Sequence, residues 1–134
     1  MNRHFLAFSL LCFSAAASFG QAAAAAGPDG AKHVTPAEVA PLITQKKATV
    51  IDLRSPEEFA AGHIAGARNI DCSAPDFKEK IGALDKNESY VVHCGGGARS
   101  TRALPAFKDQ KFQSIMHLDG GLKAWISAGK PLGK

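Results

Sequence analysis

A chain of 134 residues, 46% hydrophobic and 21% charged, has the make-up of one ordinary globular domain. Its net charge of +4 is spread over interspersed lysines and acids. With no basic block, the balance argues against a nucleic-acid binder and suits small anionic ligands.

Residues 1–26 read as a cleavable signal peptide. Asn2, Arg3 and His4 form a polar, positive start, residues 5–19 are apolar, and the alanines of residues 22–26 offer cleavage points. The apolar run is too short for a membrane anchor. Leu11 before Cys12 does not fit a lipoprotein signal. The expectation is export to a bacterial periplasm, with secretion as the alternative. The mature domain is then residues 27–134, without membrane attachment. Cleavage removes Cys12 and leaves Cys72 and Cys94. In an oxidising compartment two cysteines often pair.

In chain order, residues 27–32 form a loose lead, and His33-Val34 is long enough only for a very short strand. Thr35-Pro36-Ala37-Glu38 is a capping box with proline at the first helical position. Val39, Leu42 and Ile43 give that helix an apolar face, and Pro41 limits its regularity. Residues 48–53 are largely β-branched, as in a parallel strand covered on both faces. Ser55-Pro56-Glu57-Glu58 is a second capping box, and Gly62 ends its helix. A strand over 67–70, a helix over 76–84 and a strand over 89–93 follow. Residues 100–111 read as a helix that Pro105 should kink. Residues 112–118 read as a strand, and 122–128 as a last helix anchored by Trp125. This alternation predicts an α/β domain with a mostly parallel sheet and helices on both faces.

The stretch that carries chemistry runs from Tyr90 to Arg102: an apolar strand, then Cys94, Gly95, Gly96, Gly97, Ala98, Arg99 and Ser100 at a helix start. A strand feeding a glycine turn into a helix directs free backbone N–H groups and the helix dipole at one spot. A cysteine there is set up as a thiolate nucleophile for an anionic substrate. The glycines let the backbone curl, and Arg99 adds a planar fork for oxyanions. A cysteine phosphatase or arsenate reductase also closes a loop with arginine, but its loop is one residue longer. Four residues separate Cys94 from Arg99 here, a tighter cradle better matched to a sulfane than to a phosphate ester.

Three separated stretches together resemble the single-domain rhodaneses, thiosulfate sulfurtransferases. They are Ile51-Asp52-Leu53-Arg54-Ser55-Pro56-Glu57-Glu58-Phe59 with Gly62-His63-Ile64-Ala65-Gly66-Ala67-Arg68-Asn69-Ile70, the loop from Cys94 to Ser100, and Leu118-Asp119-Gly120-Gly121-Leu122-Lys123-Ala124-Trp125 with Gly129-Lys130-Pro131. The resemblance implies a five-stranded rhodanese-like α/β domain. It implies that Cys94 takes the outer sulfur of thiosulfate as a persulfide and passes it to cyanide or a thiol, with no cofactor. It treats Asp52 and Arg54 as structural support. A different class of reading is a non-catalytic or relay module that binds a partner protein; the intact Cys94 argues against an inactive one.

The remaining candidates read as structural. Arg54 should pair with Glu57 or Glu58, and Asp52 should accept hydrogen bonds from neighbouring loops. His93 alternates with Cys94 and should be a buried, satisfied histidine. His63 belongs to a turn, and Arg102 to a solvated helix face. The histidines have no metal-ligand spacing. Cys72 has three readings: an inert thiol, a disulfide partner of Cys94, or a resolving thiol. The inert thiol is favoured, because the two strand ends are not neighbours in a rhodanese sheet.

Overall fold

The structure is a computed structural model and describes residues 26–134, so the expected signal peptide lies outside the described residues. The elements in order are β1 (Lys32–Val34), α1 (Pro36–Thr44), β2 (Thr49–Asp52), α2 (Pro56–Ala61), β3 (His63–Ile64), β4 (Arg68–Asn69), α3 (Phe77–Gly82), β5 (Ser89–His93), α4 (Ala98–Asp109), β6 (Ser114–Leu118), α5 (Gly121–Ser127) and β7 (Leu132–Gly133). Among the described residues no helix is long and apolar enough to cross a membrane.

Five strands form one sheet in the order β1-β6-β5-β2-β4, and every pairing in it is parallel. The β-branched runs dictate this, because their residues are buried on alternate faces. Ile51, Tyr90 and Val92 pack with Phe77, Ile81, Leu104 and Phe107 on one face. Val50 and Val91 pack with Val39, Leu122 and Trp125 on the other. Helices therefore cover both faces, as the alternation of strands and helices requires. β5 lies at the centre, with β6 and β2 beside it. In such sheets ligands gather at the carboxyl ends of the strands.

Both capping boxes form: Thr35 and Glu38 exchange hydrogen bonds at the start of α1, and Ser55 and Glu58 at the start of α2. Two expectations are corrected. The helix after the glycine loop starts at Ala98 and runs unbroken through Pro105. The carbonyl that Pro105 deprives of an N–H donor belongs to Thr101, which is exposed, so water takes the bond. The second difference is an addition. After the Gly129–Pro131 stop, β7 pairs antiparallel with β3 in a separate two-stranded sheet, His63 opposite Gly133 and Ile64 opposite Leu132. The Trp125 indole N–H donates to the Pro131 carbonyl at 2.9 Å, tying this tail to the core.

Candidate active site

Cys94 follows the last residue of the central strand, and the next three residues turn the chain into α4. Gly97 makes that turn at φ 109°, a conformation that glycine alone adopts without strain. The loop is gripped from the other side by the first turn of α5. The Leu122 N–H donates to the Cys94 carbonyl at 2.9 Å, and the Lys123 N–H to the Gly95 carbonyl at 3.0 Å. The approach is so close that a Cβ on Gly121, itself at φ 59°, would press into both carbonyl oxygens.

The Cys94 sulfur sits at the bottom of this cradle, and the residue is 1% exposed. The Gly97 N–H donates to Sγ at 3.1 Å, and the Ser100 hydroxyl lies 3.4 Å away. Ala98, Arg99 and Ser100 open α4, so their N–H groups have no partner within the helix and face the loop. Burial alone pushes the thiol up. The Ser100 hydroxyl and the amides of Ser100, Gly97 and Arg99 outweigh it, and Cys94 ends below the ordinary thiol value. The arrangement thus favours a thiolate and offers donors to an anion beside it.

Arg99, the fixed charge of the loop, is not free. Its guanidinium forks onto Glu58 at 2.8 and 3.0 Å. The same Glu58 closes the α2 capping box through the Ser55 N–H. Held first by Arg99 and then by Ser55, the Glu58 carboxyl titrates at about 2. The expected pairing of Arg54 with Glu57 or Glu58 is therefore corrected. Arg54 is buried, and its guanidinium binds Asp52 at 2.7 Å and the Gly62 carbonyl at 2.8 Å. A charge taken out of water needs an equally buried counter-charge, and Asp52 is that group. Asp52 receives the backbone N–H of Arg54 as well.

The rhodanese-like domain family matches residues 35–128. The chain belongs to the rhodanese family. Among its relatives is the thiosulfate sulfurtransferase GlpE of Pseudomonas aeruginosa, 39% identical over 100 residues, which are 74% of this chain and 87% of that protein. The probable adenylyltransferase/sulfurtransferase MoeZ of Mycobacterium tuberculosis is 35% identical over 99 residues, 73% of this chain but 25% of the larger protein. A solved rhodanese-related protein from Thermoplasma volcanium superposes with a TM-score of 0.66 at 32% identity, covering 76% of this chain and 97% of that one.

In this rhodanese His93 is fully buried, as expected, but only half satisfied. Nδ1 lies 2.9 Å from the Cys94 carbonyl, while Nε2 has no hydrogen-bond partner and sits 3.8 Å from Asp52. His63 stacks on Phe59 and bonds the Phe59 carbonyl through Nδ1. Cys72 and Cys94 are both free. The sheet order puts β2 between their strands, and the Cys72 N–H donates to Leu53 at the end of β2. Burial, and then the Asp71 carboxylate, push the Cys72 thiol up, which keeps it protonated. Cys72, Lys78, Arg99 and Arg102 line a cleft of about 310 Å³ beside the loop.

Sequence spacing missed one group of residues. His33 on β1 faces His117 on β6 across a parallel pairing, and Asp119 follows. Donor atoms of the three lie within 4.8 Å of one another. They form a hydrogen-bonded chain. His117 Nδ1 meets Asp119 at 2.9 Å, Asp119 meets His33 at 2.5 Å, and His33 meets Asp29 at 2.7 Å. At the inner end, His117 Nε2 reaches the Ser100 hydroxyl at 2.7 Å. The available signal was position: His117 lies near the carboxyl end of the strand next to β5, where ligand-site residues collect.

Proposed function

We propose that this rhodanese-type sulfurtransferase takes the sulfane sulfur of thiosulfate and passes it to cyanide or a thiol through a persulfide on Cys94. The observation that carries the reading is the Cys94 sulfur held by the Gly97 N–H and the Ser100 hydroxyl at the start of α4. In the first step the thiolate attacks the outer sulfur of thiosulfate. A new S–S bond forms, the S–S bond of thiosulfate breaks, and sulfite leaves with that electron pair. The terminal sulfur of the persulfide inherits the negative charge, and the donors of the cradle hold it as they hold the thiolate. In the second step an acceptor thiolate or cyanide attacks that sulfur and Cys94 leaves as thiolate.

Gly95, Gly96, Gly97 and Ala98 shape the anion site, and Arg99 supplies its charge once the sulfonate competes with Glu58. The thiosulfate sulfurtransferases among the relatives support this choice of donor. Mass spectrometry after thiosulfate treatment tests it. A one-sulfur increment on Cys94, discharged by cyanide and missing in Cys94→Ala, is expected. A reduced Cys94 that gains no sulfur would overturn the reading.

The N-terminal pattern supports export of the domain from residue 27 onward into the periplasm. N-terminal sequencing of the protein from fractionated cells should find a start after the alanine run. An intact Met1 in the cytoplasmic fraction would contradict export.

A further inference from the structure

The Ser100 hydroxyl has one proton and three acceptors around it. The Gly97 carbonyl is 3.1 Å away, Cys94 Sγ 3.4 Å and His117 Nε2 2.7 Å. The Gly97 carbonyl already accepts from the Thr101 N–H and the Thr101 hydroxyl. That leaves the sulfur and the imidazole. Asp119 fixes the imidazole, because its carboxylate accepts the proton on His117 Nδ1. A neutral His117 therefore presents a bare Nε2 to Ser100, and the hydroxyl turns to it. A protonated His117 donates to the Ser100 oxygen instead, and the hydroxyl proton is released towards Cys94.

We infer that His117 is a positioning residue for sulfur transfer that receives the Cys94 proton through Ser100. The movement balances. The thiol proton passes to the Ser100 oxygen as the hydroxyl proton passes to His117 Nε2. The thiol S–H and the old O–H break; a new O–H and an N–H form. The products are a thiolate that accepts from Ser100 and an imidazolium that donates to Ser100 and Asp119. No other reactant is needed. Cys94, Ser100 and His117 are all buried, so water does not short-circuit the path, and a charge pair at this depth is strengthened by the low local dielectric.

The charged and titratable groups around His117 fit that role. β6 supplies Asp119. β1 supplies His33, whose ring stands edge-on to His117 at 5.2 Å and whose other nitrogen bonds Asp29. Hydrogen bonds from Asp119 and then Asp29 keep His33 protonated to higher pH than usual. β5 supplies His93, which burial keeps neutral although Asp52 pulls the other way. α5 brings Lys123 beside Gly96. Asp119 and Asp29 are thus the anions that accommodate two imidazolium rings.

This inference rests on Cys94 being the sulfur carrier, but its test needs no substrate, so either can fail alone. The first measurement is the ring NMR signals of His117 near neutral pH in the wild type and in Cys94→Ser. The ring should be protonated in the wild type and neutral in the serine variant, which has no thiol proton to give. The same protonation state in both would overturn the inference. The second is the ultraviolet thiolate absorbance of the wild type minus that of Cys94→Ser, against pH. His117→Gln, which can bond Ser100 but not take up a proton, should raise the Cys94 midpoint by about one pH unit, roughly a tenfold loss of thiolate below it. Asp119→Asn, at the exposed end of the chain, should shift it in the same direction by less. A midpoint unmoved in both variants would overturn the inference. The NMR comparison decides alone if His117→Gln fails to fold.

Discussion

At the scale of single residues, the site depends on two positions whose chemistry is not itself catalytic. Gly121 has φ 59°, and its missing side chain lets α5 reach the carbonyls of Cys94 and Gly95. Gly121→Ala forces the loop and α5 apart. Left-handed backbone costs a non-glycine residue about 1–2 kcal/mol, and the clash adds to it. The expected result is a measurable loss of stability and a fall of about tenfold or more in thiosulfate turnover, from a displaced Cys94. Turnover within a factor of two of wild type would refute this role. Asp52→Asn has the opposite profile. It leaves the Arg54 guanidinium buried against a neutral amide, and removal of one partner from a buried pair costs about 3–5 kcal/mol. Denaturant unfolding should show a loss of that order, with turnover per folded molecule nearly unchanged.

At the scale of elements, two similar capping boxes have different consequences. In α1, Thr35 and Glu38 serve only the helix start. In α2, Glu58 serves the helix start and also holds Arg99. Ser55→Ala and Thr35→Ala should each cost about 1 kcal/mol of stability. Only Ser55→Ala should change the KM for thiosulfate, because Glu58 then loses the anchor that fixes Arg99. Equal KM values in the two variants would uncouple α2 from the loop. Both boxes were legible in the sequence, since capping is a contest among near neighbours in the chain. The parallel strands were legible for a similar reason, as β-branched runs buried on both faces. The partner of Glu58 was not legible, because Arg99 lies 41 residues away and only the fold brings the two together. The β3–β7 pairing escaped as well, since two-residue strands have no period to detect.

At the scale of the whole molecule, acid stability should depend on the Arg99–Glu58 pair. Glu58 titrates at about 2 in the folded protein against an ordinary 4.5, a depressed value. Its contribution is complete above about 4.5 and is lost as pH falls towards 2, because the folded state resists taking up the proton. The side chains of Arg99 and Glu58 are 34% and 42% exposed, so solvent screens the effect to well below what the shift alone implies. Glu58→Gln should lower the melting temperature modestly at neutral pH and flatten its decline between pH 4.5 and 2. A variant whose melting curve keeps the wild-type slope in that window would assign acid sensitivity elsewhere. The chain from Cys94 to Asp29 also belongs to this scale. It joins the first described loop to the centre of the sheet, with His33 and Asp119 86 residues apart. Such a meeting follows from the strand order β1-β6-β5, which no local pattern encodes.

The depth of Cys94 has a further consequence. The resting thiol is sealed off, yet a persulfide extends it by one S–S bond, about 2 Å. The cradle thus works like a sheath. It shelters the empty sulfur from stray oxidants and pushes only the cargo sulfur outward. Selection between reagents is then a matter of reach: a bulky oxidant finds nothing to touch, whereas an acceptor meets a sulfur that stands proud of the loop only when there is something to collect.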